Sequence, residues 1–246
     1  MERRIFASAL LALLLVAPAT TGRGQPPAGE GAGKSSAVLP LVLVDAPLGT
    51  RGPMVLLLSG DGNWAPFPRA FAVDAAKDGS PVVGLKARDY MSHPVTPERL
   101  ASDLERAVSM QLEAWHRHEL VVVGYSRGAD WTAFVLNRWP AELRARVRAV
   151  AFVGLSERAS FEFHFVDLFR DIERPTDLPV RPEVRKLVGI PMICVYGDDE
   201  RNSFCERPVP GMQVLEHEGA HRIKDDEKLI SYLLGWLGIG PETAPP

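Results

Sequence analysis

Residues 120–137 constrain the fold more tightly than any other stretch. Leu120-Val121-Val122-Val123 is an unbroken apolar run that enters Gly124-Tyr125-Ser126-Arg127-Gly128, and Arg127 to Asn137 continues with helical spacing and stops before Pro140. A strand that is apolar on both faces suits a parallel sheet buried on both sides. A strand that turns through G-x-S-x-G into a helix is the setting of a nucleophile elbow, which holds a serine on a tight turn with its hydroxyl exposed. The five-residue pattern alone is weak evidence, and the strand, turn and helix around it carry the reading. Backbone crowding at such a turn leaves little room for side chains, which explains glycine on either side of the serine.

The rest of the chain repeats the alternation. Strands are predicted at Met54–Leu58, Pro81–Leu85, Val147–Val153, Pro191–Tyr196 and Met212–Leu215. Helices are predicted at Arg69–Lys77, from Thr96 as N-cap and Pro97 at the first position through Trp115, and at Asp226–Leu237. Leu100, Leu104, Ala107, Val108, Leu112 and Trp115 fall on one helical face, as do Leu229, Ile230, Leu233, Leu234 and Leu237. Strands and helices in this order imply an α/β fold, a mainly parallel sheet with helices on both faces, of the α/β-hydrolase type that carries the elbow. Ser156 to Leu187 has no regular pattern and reads as an insertion placed to cover the site.

Before this domain, Met1-Glu2-Arg3-Arg4 is basic, Ile5–Ala19 is almost wholly apolar, and Ala17-Pro18-Ala19 has small residues at a cleavage spacing. These are the three parts of a secretory signal peptide, residues 1–19; an uncleaved anchor is the alternative, though the run is short for a membrane span. Residues 20–36 read as a Gly/Pro/Ser-rich linker, 37–241 as one domain and 242–246 as a tail. The expected location is therefore the periplasm. The net charge of −3 carries no nucleic-acid footprint. In an oxidising compartment the two cysteines, Cys194 and Cys205, are expected to pair; a reactive thiol would want a histidine partner, and none stands at a diagnostic spacing.

Ser126 needs a base and an orienting acid, and chain order in this fold is serine, acid, histidine. Gly197-Asp198-Asp199-Glu200 follows one strand end, and His217-Glu218-Gly219-Ala220-His221 follows the next. His221 is the expected base, with His217 as competitor. Glu200 is the expected acid from its Gly-x-x-acid spacing, and Asp199 the alternative. His93, His116, His118 and His164 read as surface or loop residues. The oxyanion hole would use the backbone N–H of Arg127 and one from Gly60-Asp61-Gly62-Asn63, either Asp61 or Gly62. The segment from His217 to His221 also spells H-E-x-x-H, a zinc-protease pattern that needs both histidines on one helix face. Gly219 disfavours that helix, no third histidine follows, and neither Glu227 nor Glu242 is well placed, so no metal and no cofactor are expected.

Taken together, the Ser59–Trp64 loop (Ser-Gly-Asp-Gly-x-Trp), Gly124–Asp130, Asn137-Arg138, Phe161-Glu162-Phe163, Pro182-Glu183, the acidic cluster after Tyr196-Gly197 with Cys205 beyond it, and Gly219-Ala220-His221 resemble the VirJ/AcvB family. The resemblance covers nearly the whole chain after the leader. It implies an exported bacterial α/β-hydrolase protein linked to virulence and type IV secretion, with secretion-system proteins as expected partners. AcvB-type members hydrolyse aminoacylated phosphatidylglycerol, chiefly the lysyl form. The resemblance thus implies a phospholipid substrate at the membrane surface, with Ser126 and His221 as catalytic serine and histidine. Asp61, Asp89 and Asp130 are candidates to receive a cationic aminoacyl head. Asp130, in a first helical turn, is also explained by the helix dipole. Two departures stand out: Asn63 replaces a glycine of the loop, and Arg127 replaces a bulky apolar residue after the serine. A cation there would suit a lipid phosphate and repel a lysyl ammonium.

Overall fold

The computed structural model describes residues 39–162, 174–200, 203–219, 221 and 226–240. The predicted leader (1–19), linker (20–36) and tail (242–246), with Phe163, His164 and Ala220, lie outside the described residues. Among the described residues seven strands form the main sheet: β1 (Leu41–Val44), β2 (Met54–Leu58), β3 (Val82–Leu85), β4 (Leu120–Tyr125), β5 (Val147–Val153), β8 (Met192–Gly197) and β9 (Met212–His217). A separate two-stranded ribbon pairs β6 (Arg158–Ala159) with β7 (Leu178–Pro179). The order across the main sheet is β1-β3-β2-β4-β5-β8-β9. Among the described strands of this sheet β1 runs antiparallel, against β3, and the other pairings are parallel.

The helices are α1 (Pro66–Lys77), α2 (Ala87–Tyr90), α3 (Pro97–Ala114), α4 (Arg127–Arg138), α5 (Ala141–Arg144), α6 (Arg181–Arg185) and α7 (Glu227–Trp236). Each central strand divides its side chains by alternation. Leu56, Leu58, Val122, Val150 and Phe152 join Leu100, Leu104, Trp131 and Phe134 of α3 and α4 on one face. Val55, Leu57, Val121, Val123, Ala151 and Val153 join Phe67, Phe71, Leu229 and Leu233 of α1 and α7 on the other. Burial on both sides is why these strands are mostly apolar. The expected cap forms, with Thr96 Oγ1 accepting the Arg99 N–H at 3.2 Å, and Asp226, predicted as the first residue of α7, caps it instead, Oδ1 accepting the N–H groups of Lys228 and Leu229. No helix among the described residues is long and apolar enough to cross a membrane.

Several elements depart from the predicted pattern. α1 begins at Pro66 rather than Arg69, because proline fits the first helical turn, where its missing N–H has no partner to lose. β9 runs to His217, two residues beyond the predicted end. β1, the ribbon and the short helices α2, α5 and α6 were not predicted. The 156–187 segment carries the β6–β7 ribbon and α6, and a disulfide joins Cys194 to Cys205.

Candidate active site

All parallel strands end at one edge of the sheet, and that edge collects the residues singled out above. Ser126 lies at the turn from β4 to α4 with φ 55° and ψ −124°, a conformation that side-chain-bearing residues rarely adopt. Its surroundings enforce it. A Cβ on Gly128 would fall 2.1 Å from the carbonyl oxygen of Leu58, and one on Gly124 would fall 2.5 Å from the Ala129 Cα. Gly128 lets helix α4 sit directly against the end of β2 and Gly124 lets it sit against its own strand β4, and the Ser126 N–H is tied to the Val153 carbonyl at 2.8 Å.

The Ser126 hydroxyl lies 2.8 Å from His221 Nε2, and His221 Nδ1 lies 2.8 Å from Glu200 Oε1. A carboxylate can only accept, so Nδ1 carries the proton and Nε2 is left to accept the serine hydroxyl. Glu200 is held by its own turn: its N–H donates to the Gly197 carbonyl at 2.9 Å, and the Gly197 N–H reaches back to Oε2 at 3.3 Å. The loops bearing acid and base are stitched together. Asp198 Oδ1 accepts the Gly219 N–H at 2.8 Å, and the Asp199 N–H donates to the Gly219 carbonyl at 3.1 Å. Glu200, and not Asp199, is therefore the carboxylate that meets His221 Nδ1.

His217, the competing base, is the last residue of β9, and its Nδ1 lies 2.9 Å from the Glu218 carbonyl oxygen. The H-E-x-x-H pattern thus begins in a strand, and the two histidines do not share a helix face. No cluster of three potential metal ligands occurs among the described residues.

The loop after β2 turns tightly, with the Asn63 N–H donating to Gly60 O at 2.9 Å and Asn63 itself at φ 60°. It rests on the elbow: a Cβ on Gly60 would fall 2.8 Å from Ser126 Cβ. Asp61 and Arg127 are the neighbours from which backbone donors were expected, and their side chains meet. Arg127 Nε and Nη2 donate to Asp61 Oδ1 and Oδ2 at 2.5 and 2.7 Å. The Arg127 guanidinium beside the elbow is therefore paired with a carboxylate.

Asp130 is buried in the first turn of α4, where its Oδ1 accepts the Ser156 N–H at 2.8 Å. Burial pushes its carboxyl up to about 7, against the opposing pull of that N–H, Arg127 and His221. Asp89 is bound by Asn63 Nδ2 at 2.7 Å and Lys86 Nζ at 2.8 Å, and these contacts hold its carboxyl below the usual range, the Lys86 hydrogen bond foremost. All three carboxylates expected to receive a cationic head, Asp61, Asp89 and Asp130, are thus already engaged by the protein. The insertion docks beside them, its Ser160 carbonyl accepting from Trp131 Nε1 at 2.8 Å while Phe161 stacks on the Trp131 ring.

Sequence reading missed Gly154, which follows β5 with φ 69°. A Cβ there would fall 2.8 Å from His221 Cε1. Its only sequence signal is a glycine directly after a buried strand. A groove of about 510 Å³ lies at the other end of the strands, between His116, Arg117, His118 and Arg146, and holds none of these residues.

Solved structures share this architecture. An esterase from Exiguobacterium antarcticum is similar with a TM-score of 0.57 and 12% identity, over 80% of this chain and 94% of that one. An esterase domain from Rhodothermus marinus gives 0.55 and 13%, over 79% and 89%. A bromoperoxidase from Bacillus anthracis gives 0.55 and 16%, over 80% and 95%. At such identities the likeness establishes the α/β-hydrolase fold and no activity. No protein of curated function matches the chain in sequence. The model of the bacterial virulence protein VirJ matches residues 52–237, and with most of the domain inside that match, this chain belongs to the VirJ family.

Proposed function

We propose that this protein is a serine ester hydrolase whose substrate is aminoacylated phosphatidylglycerol, the lysyl form foremost, met at the periplasmic membrane surface. The observation that carries the reading is the unbroken hydrogen-bond chain from Ser126 Oγ through His221 to Glu200. In this scheme Ser126 Oγ attacks the aminoacyl carbonyl while His221 Nε2 takes its proton. Glu200 stabilises the resulting imidazolium. The backbone N–H groups of Arg127 and Asp61 hold the oxyanion. His221 then protonates the departing glycerol oxygen of the lipid as the acyl C–O bond breaks. Water releases the amino acid from Ser126 by the same steps in reverse order.

The substrate class rests on family resemblance, and the neutral Arg127–Asp61 pair supports it by removing the repulsion that an unpaired cation would exert on a lysyl head. The test is amino-acid release from purified lysyl- and alanyl-phosphatidylglycerol by wild type and Ser126→Ala. Serine-dependent release supports the reading, and release that survives the substitution, or none from either lipid by folded protein, refutes it. Membership of a virulence family supports a second reading, a partner of secretion-system proteins that acts without turnover. A Ser126→Ala strain that keeps its virulence phenotype would favour that role. Cell fractionation tests the periplasmic location.

A further inference from the structure

Arg127 and Asp61 lie 66 residues apart in sequence and meet through two parallel hydrogen bonds. Their side chains are only 9% and 17% exposed, so little water competes for the contact. A planar guanidinium facing a carboxylate in this manner fixes direction as well as distance. The third arm, Nη1, donates to the Ser160 carbonyl at 3.2 Å, the same oxygen that accepts from Trp131 Nε1. One side chain therefore spans the first turn of α4, the loop after β2 and the insertion.

The backbones of these same two residues supply the N–H groups assigned to the oxyanion. One belongs to a helix start, held by the elbow. The other belongs to a four-residue turn between Gly60 and Asn63, and the Asp61 side chain is what joins that turn to α4.

We propose that the Arg127–Asp61 ion pair is the positioning clasp of the oxyanion site, setting the separation of the two backbone donors and, through Ser160, linking that separation to docking of the 156–162 segment. This rests on the reading of Ser126 as nucleophile. The two side chains are positioning residues: they act through the backbone N–H groups and touch no reacting atom. A hole already assembled before charge develops stabilises the transition state without reorganising, so loss of the clasp falls on the chemical step rather than on substrate binding.

The experiment uses the full chain as wild type, Arg127→Gln, Arg127→Lys, Asp61→Asn and the Asp61→Asn/Arg127→Gln double variant. Each is assayed with p-nitrophenyl acetate below its unfolding temperature. A boronic acid, which forms an anionic tetrahedral adduct on an active serine, reports the oxyanion site directly. Arg127→Gln and Asp61→Asn should each lower kcat about ten- to a hundredfold with KM within about twofold, and weaken boronate binding by a similar factor. The double variant should lose no more than the worse single, since the pair acts as one unit, and Arg127→Lys should recover part of the loss. Unchanged kcat in folded single variants, an unmoved boronate affinity, or losses that multiply in the double variant would overturn the clasp. Wild-type turnover that Ser126→Ala abolishes but Arg127→Gln leaves intact strikes the clasp alone. A wild type inactive on the ester and blind to the boronate takes down the nucleophile reading and the clasp with it.

Discussion

Gly154 forms the floor under the ring of His221: a Cβ added to it would stand 2.8 Å from Cε1 and 3.0 Å from Nδ1. Alanine at this position meets two obstacles, the imidazole above it and a backbone φ of 69°. Gly154→Ala is expected to push the ring off Ser126 and lower kcat by about 10²-fold, since small displacements of a catalytic group cost that much. The positive φ adds a stability loss of about 1–3 kcal/mol. Ester kinetics beside a denaturation curve check both, and an unaltered kcat would mean that the ring does not depend on this floor.

Glu200 and Asp199 are adjacent carboxylates with separate duties. Glu200→Gln keeps the shape but removes the negative charge and offers an N–H donor to Nδ1, so the proton on Nδ1 is no longer enforced and kcat should drop by about 10⁴-fold. Asp199→Asn leaves its backbone bond to Gly219 in place and should keep kcat near wild type. Steady-state assays of the two variants side by side decide the assignment, and equal losses would contradict it.

Asp130 predicts how stability varies with pH. Its carboxyl is raised from the usual 3.8 to about 7 by burial, so between these values the folded protein holds a proton that the unfolded chain has released. Stability therefore falls as pH rises from about 4 to about 7, by an amount on the order of 4 kcal/mol, and levels off above. Asp130→Asn retains an acceptor for the Ser156 N–H without the charge. It should match wild type at the acid end and exceed it at pH 8. Urea midpoints of both proteins across this range test the point, and parallel profiles would count against it.

The Cys194–Cys205 disulfide closes the segment that carries Glu200. With 11 residues of separation, its removal should cost about 3 kcal/mol on the chain-entropy account. Replacing both cysteines by alanine is expected to lower the thermal midpoint. It should also lower kcat at temperatures where the protein is still folded, because the acid's turn loses its tether. A variant with a lower midpoint and unchanged kcat would confine the bond to a stabilising role.

Much of the sheet was legible because burial leaves a mark in the chain itself. β2, β4 and β8 are covered on both faces and read as apolar runs, as does β5 beyond its exposed Arg148. β1 is covered less completely, with Leu43 exposed, and as an edge strand it gives a weaker signal. The elbow, the serine–acid–histidine order and the Gly-x-x-Glu spacing are local patterns, and they placed Ser126, Glu200 and His221. Gly154 and the Arg127–Asp61 pair had no such pattern. Gly154 is required by a ring 67 positions later, and Arg127 is neutralised by a carboxylate 66 positions earlier. Interactions of that kind exist only once the sheet has brought distant strand ends to one edge. The two-residue strands of the ribbon carry too few residues to show a period at all.

The order in which the sheet is threaded has a further consequence. The serine arrives with the fourth strand, the acid after the eighth, and the base only beyond the ninth, which among the described residues lies at the sheet's far edge and pairs with β8 alone. A chain growing from its N-terminus thus completes its elbow long before it can assemble a proton relay. Any product truncated ahead of β9 lacks the histidine altogether. The proposed relay therefore depends on the last strand of the sheet being made and paired with β8.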